Sequence, residues 1–151
     1  DWLDEEKSIL KRNKEVFVCA VDLDRSNLPV DIYPKAKSWI PAPRNEYTDY
    51  NDGVTGVHLL LFRGKQLGKF LDWKWQNSSD RFHDSLLHQY CYDVANMNWA
   101  RTKNALAYHH TWDLYRDKNH PYTKFKLSGK VDKVRKNSMN LPTDFTLTNF
   151  D

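Results

Sequence analysis

Eight consecutive residues, Val16 to Leu23 (VFVCAVDL), are apolar but for a single aspartate. A short β-branched run of this kind reads as a strand with both faces buried. A strand without a wet face needs a layer of structure on each side. The rest of the chain must supply those layers, and its composition allows it. Of 151 residues 40% are hydrophobic and 14% aromatic, with 28% charged. Disorder is excluded, because such a chain has enough apolar surface to fold. No apolar run approaches the roughly 20 residues that span a bilayer, so no membrane span is expected. The length fits one domain, 1–151. The chain opens on Asp1 rather than methionine, so a fragment or processed piece of a longer chain is expected.

Around the strand, residues 2–13 read as a short amphipathic helix, with acids early and lysines late to suit the helix dipole. Val30 to Tyr33 reads as a second short strand. Pro34, Pro41 and Pro43 keep the next stretch extended and out of a sheet interior. Trp39 is expected to be largely buried and to anchor that strip. Residues 45–56 read as a loop. Val57–Arg63 and Gln66–Trp73 flank Gly64-Lys65, which suits a type II′ hairpin turn. Asn77 to Asp80 offers N-caps. Phe82, Leu86, Tyr90, Val94 and Met97 then recur every three to four residues, predicting a helix over 80–98 that continues through 99–116. Tyr122–Leu127 and Lys130–Val134 alternate in polarity across Ser128-Gly129, predicting a second hairpin. The expected fold is α+β: a mainly antiparallel sheet of short hairpins packed on a helical region (80–116).

Charge is uneven. Residues 1–100 carry 13 basic and 15 acidic side chains; residues 101–136 carry 10 and 3. Lys124, Lys126, Lys130, Lys133, Arg135 and Lys136 crowd together, with Tyr122 and Phe125 among them. Cations attract phosphates and aromatic faces stack on unpaired bases. The leading expectation is therefore a nucleic-acid-binding domain with little sequence preference. Two buried free thiols, Cys19 and Cys91, are expected, which favours a reducing, cytoplasmic setting. The cofactor is left open.

All six histidines fall between residues 58 and 120. Asp84/His88 and His109/Asp113 each have i,i+4 spacing, and two such pairs on facing helices would suit a metal. His83-Asp84 with Asp113 resembles the spacing of HD-type phosphohydrolases. His109-His110, after the apolar ALAY and followed by Asn140-Leu141, resembles HNH-type ββα-metal nucleases. That resemblance implies a metal-dependent phosphodiester hydrolase, with His109, His110 and Asp113 catalytic and His109 and Asp113 as metal ligands. Cys91 with His58 offers a thiol–imidazole pair.

One further resemblance is local. YPKAKSWIPAPR (Tyr33 to Arg44), behind the VFVCAVDL strand, resembles the C-terminal segment of the largest picornavirus capsid protein. It carries the same skeleton of Pro34, Lys35, Trp39, Pro41, Pro43 and Arg44. Over residues 16–44 it implies a structural or interaction module of a viral polyprotein, capsid-associated or projecting, with a protein partner.

Overall fold

A computed structural model describes residues 1–56, 58–77 and 84–128. Helix α1 (Trp2–Arg12) starts on Asp1, whose carboxylate accepts from the Leu3 N–H, and carries acids in its first turn and bases in its last. Strand β1 (Val16–Leu23) is buried at every position. Strands β2 (Asn45–Glu46), β3 (Asn51–Asp52) and β4 (Leu60–Phe62) are short, and β5 (Asn98–Ala107) is long. The sheet order is β2-β3-β5-β1-β4. The central pair β1–β5 is parallel; β1–β4, β2–β3 and β3–β5 are antiparallel. The fold is α+β with a mixed sheet.

The two faces of β1 meet different partners. Val16 and Cys19 pack with Ile9 and Leu10 of α1, together with Tyr50 and Ala100. Phe17, Val18 and Ala20 pack with Trp99, with Phe70 of α2 (Gly64–Asn77), and with Leu87, Tyr90 and Cys91. Helix α3 (Asp84–Gln89) and the π turn that extends it (Tyr90–Val94) bring in the last three. The doubly buried strand thus has a helical layer on either side.

Several sequence expectations are corrected. Residues 66–73 are not the return strand of a hairpin: Gly64-Lys65 opens α2, because Phe70 and Lys74 bury one helical face. The helix predicted over 80–116 ends at Val94, within the described residues from Asp84. Residues 98–107 form the strand that completes the parallel pair, and His110–Arg116 is a 3-10 helix. The buried residues of the 84–94 segment are Leu87, Tyr90 and Cys91, while Val94 is 49% exposed. The π turn rotates the stripe by adding a residue to the turn. Tyr122–Leu127 lies in helix α4 (Pro121–Leu127), not in a strand, since Pro121 sits at the first helical position over a His120 cap. Val30–Tyr33 is not a strand, and Pro34–Ser38 is a 3-10 turn rather than extended. Trp39 is half-buried and packs against Tyr33, Trp112 and Tyr115. Phe82, the Asn77–Asp80 cap beyond Asn77, and Lys130–Val134 lie outside the described residues. No helix among the described residues is long and apolar enough to cross a membrane.

Candidate functional site

Both strands of the parallel pair end together, Leu23 opposite Ala107. In open sheets the carboxyl ends of parallel strands are where ligands bind, because the loops leaving them diverge. Here the two loops bring chemistry. From β1 come Asp22, Asp24 and Asn27; from β5 come Tyr108, His109, His110 and Asp113. The Asp24 N–H donates to the Ala107 carbonyl at 3.0 Å, locking the two exits together. Asn27 donates through Nδ2 to the His109 carbonyl and to Asp113 Oδ1, both at 3.1 Å. The Tyr108 hydroxyl donates to the same carboxylate, at 3.1 and 2.9 Å from its two oxygens. That bond to Asp113 raises the Tyr108 pKa above its ordinary value.

Sequence reasoning placed His109 and Asp113 on one helix face. The structure places both at this end by a different route. His109 caps the 3-10 helix; its ring stacks on Trp112 with centroids 4.7 Å apart, and Nδ1 shares a hydrogen bond with Thr111 Oγ1 at 2.7 Å. His110 is exposed and meets the Tyr108 ring edge-on at 4.9 Å. Among the described residues no three carboxylate, imidazole or thiol groups stand close enough to share a metal ion.

His58 reaches the same region from the loop before β4. Its ring is near enough to the Val21 backbone, Asp22 and His109 to feel their charges and dipoles. Burial, the largest effect, holds its pKa below the ordinary imidazole value. Nε2 is buried and has no partner, as is Asn27 Oδ1. Asn27 Oδ1 is an acceptor, and Nε2 of a neutral imidazole accepts or donates according to the tautomer. The loop holding His58 is bent: Gly56 has φ +102° and Leu59 φ +44°. A leucine in that region stores strain, which collects at functional sites.

Asp22 is the polar break in the apolar strand. Its Oδ1 accepts from the Leu23 N–H at 2.8 Å and lies 3.7 Å from Arg101 Nη1, forming a buried ion pair across β1–β5. Asp22, Asp24, Asn27 and Tyr108 were missed as a site from sequence, and His58 was singled out only as a partner for Cys91. The visible signal was Asp22 inside an apolar strand and the polar run DRSN directly after it.

The basic surface fares differently. Lys124 and Phe125 are exposed on α4, Phe125 at 45%. Lys126 Nζ lies 5.6 Å from the centroid of the half-buried Tyr122. Trp112 and Tyr115 from the same stretch are core residues. Lys130, Lys133, Arg135 and Lys136 lie outside the described residues. Cys19 and Cys91 are buried free thiols, as expected. Cys91 is not paired with His58: it donates to the Met97 carbonyl at 3.4 Å, and burial pushes its pKa up to about 12, away from nucleophilic use.

No family model and no solved structure matches the chain. Sequence relatives are found in Acanthamoeba polyphaga mimivirus. These relatives are viral. The chain is 45% identical over 128 residues to uncharacterized protein L137, 43% over 128 to L142 and 40% over 130 to L138. Each match covers 83% or 84% of this chain. The chain spans only 17%, 25% and 14% of those proteins' lengths. The shared sequence therefore recurs inside much longer mimiviral proteins.

Proposed function

We propose that this domain binds a hydroxyl-bearing, sugar-like ligand at the carboxyl end of the β1–β5 pair. The observation that carries the reading is two buried polar atoms without partners beside two carboxylates at that end. Asn27 Oδ1 and His58 Nε2 are unpartnered, and the Asp113 and Asp24 carboxylates border the same end. Acceptors call for a ligand rich in O–H donors rather than an anion. Tyr108, 46% exposed, and the exposed His110 beside it offer ring faces for the C–H face of such a ligand. The test is a titration of the ¹⁵N-labelled protein with a panel of methyl glycosides. Shifts confined to residues 24–28, 58 and 108–113, weakened by Tyr108→Ala, support the reading. A panel without any saturable shift at that end sinks it.

A second reading keeps nucleic acid as the partner. It is favoured by α4, which holds Lys124 and Phe125 in solvent within Lys118–Ser128, a stretch of three lysines and no carboxylate. Phosphate contact of this kind gives affinity without sequence information. Labelled single-stranded oligonucleotides should bind with a steep salt dependence, and Lys124→Gln should lower the slope by about one. Absence of binding at low salt removes it. Recurrence within longer mimiviral proteins supports a module that works alongside other parts, which suits either ligand.

A further inference from the structure

We infer that the groove between the proline segment and α3 is a second ligand site, for a small planar molecule carrying a phosphate or carboxylate group. The groove has a volume of about 360 Å³, within the range of small-molecule sites. Pro41, Ala42, Gly53 and Val54 give it an apolar wall. Arg44, Ser85 and His88 give it polar edges. It is separate from the carboxyl-end site, whose residues do not line it.

Charge decides the occupant. Arg44 is exposed, and among the described residues no carboxylate stands within ion-pair distance of it. Its guanidinium is held in place instead by the Tyr92 ring, 4.0 Å from the centroid. Tyr92 is itself fixed, donating from its hydroxyl to Asp52 Oδ1 at 2.8 Å and meeting the His88 ring edge-on at 4.9 Å. Arg44 and His88 therefore flank one immobilised ring at the mouth of the groove. A guanidinium oriented in advance loses less entropy on gripping an anion.

A second cation lies behind the wall. Arg101 is fully buried; Nη1 donates to the Pro41 carbonyl at 3.2 Å, while Nε and Nη2 have no hydrogen-bond partner. A Cβ at Gly53 would stand 3.3 Å from Arg101 Nη2, so the guanidinium abuts the groove's most buried residue. Of the neighbouring carboxylates, Asp22 pairs with Arg101 Nη1 and accepts from the Leu23 N–H, while Asp52 accepts from Tyr92 and the Trp99 N–H. The apolar wall suits a flat body, and Arg44, the groove-lining cation without a carboxylate partner among the described residues, asks for negative charge.

The experiment titrates the ¹⁵N-labelled protein with phenyl phosphate, benzoate, phenol and inorganic phosphate. The expected result is saturable shifts at residues 42–44, 53–54 and 85–88 with at least one aryl anion, at millimolar concentration or below. Phenol and inorganic phosphate should each bind at least roughly tenfold more weakly, since each lacks one recognised feature. The tighter of phenyl phosphate and benzoate identifies the anionic group. Arg44→Gln should weaken that anion roughly tenfold, and Ala42→Trp should block it by filling the groove with the charges kept. Circular dichroism establishes that each variant is folded; if Arg44→Gln is not, Ala42→Trp carries the test. The inference is overturned if neither aryl anion shifts these residues, if phenol matches them, or if a folded Arg44→Gln or Ala42→Trp binds as the parent does. Shifts confined to residues 118–128 would overturn it too and favour the nucleic-acid reading.

Discussion

Glu6 is the residue most at odds with its surroundings. It lies on the buried side of α1, fully inaccessible, and neither carboxylate oxygen has a hydrogen-bond partner. Burial, and secondarily the negative charge of Glu5, push its pKa from 4.5 up to about 7. Between those values the folded chain holds a proton that the unfolded chain has released. Stability from this group is therefore present in full below the lower value and lost as pH rises through the higher one. Glu6→Gln should leave the melting temperature nearly unchanged at pH 4 and raise it at pH 8. Thermal melts of both proteins across that range check this; a Glu6→Gln effect that is equal at both ends removes the protonation argument. Arg101 is the opposite case, a buried cation paired with Asp22. Arg101→Ala should cost about 3–5 kcal/mol in denaturant unfolding, because the Asp22 carboxylate is left buried and unpaired. A loss under about 1 kcal/mol would mean that the pair is effectively solvated.

At the scale of elements, the segment Asp84–Val94 shows how a period misleads when the helix changes pitch. The sequence pattern singles out Leu86, Tyr90 and Val94; of these Tyr90 is buried, but it is joined at the sheet by Leu87 of α3 and by Cys91, while Val94 turns outward. Leu87→Ala should therefore cost about 2–5 kcal/mol. Val94→Ala should cost no more than about 0.5 kcal/mol, as an exposed site. Equal costs in chemical denaturation would place both side chains in the core and contradict the turn. Helix α4 carries the same lesson for charge. Lys124 and Lys126 share a face in a strand but are about 200° apart on a helix, so they cannot form one row of cations without the residues that follow.

Across the whole molecule, two assemblies of different tightness meet at Trp39. One is the sheet with α1, α2 and α3, whose β1 residues are almost wholly inaccessible. The other is an aromatic cluster of Tyr33, Trp39, Trp112, Tyr115 and Tyr122, which joins the proline segment to the chain after β5. In amide hydrogen exchange, residues 17–22 and 99–102 should be the slowest in the described chain. Trp39→Ala should accelerate exchange over 110–127 by at least an order of magnitude and leave 17–22 nearly unchanged. If both regions accelerate together, the two assemblies unfold as one unit.

Local chemistry alone accounts for several of these elements. VFVCAVDL had to be a strand covered on both faces, because no other arrangement hides so many consecutive apolar side chains. Trp2–Arg12 had to be a helix, since its acids, bases and apolar stripe all agree. The α+β class followed from those elements, and the buried thiols followed from their apolar neighbours. Tertiary structure decided the rest. Residues 98–107 carry Asn, Arg, Thr and Lys and have no clear alternation, yet they pair in parallel with β1 because the buried strand needs an inner partner for its backbone groups. Only that pairing sets Leu23 beside Ala107, brings Asp22 to Arg101, and gathers Asn27, His58, Tyr108 and Asp113 at one end of the sheet. Parallel pairing joins residues some eighty positions apart, and a local pattern carries no record of a contact made at that distance.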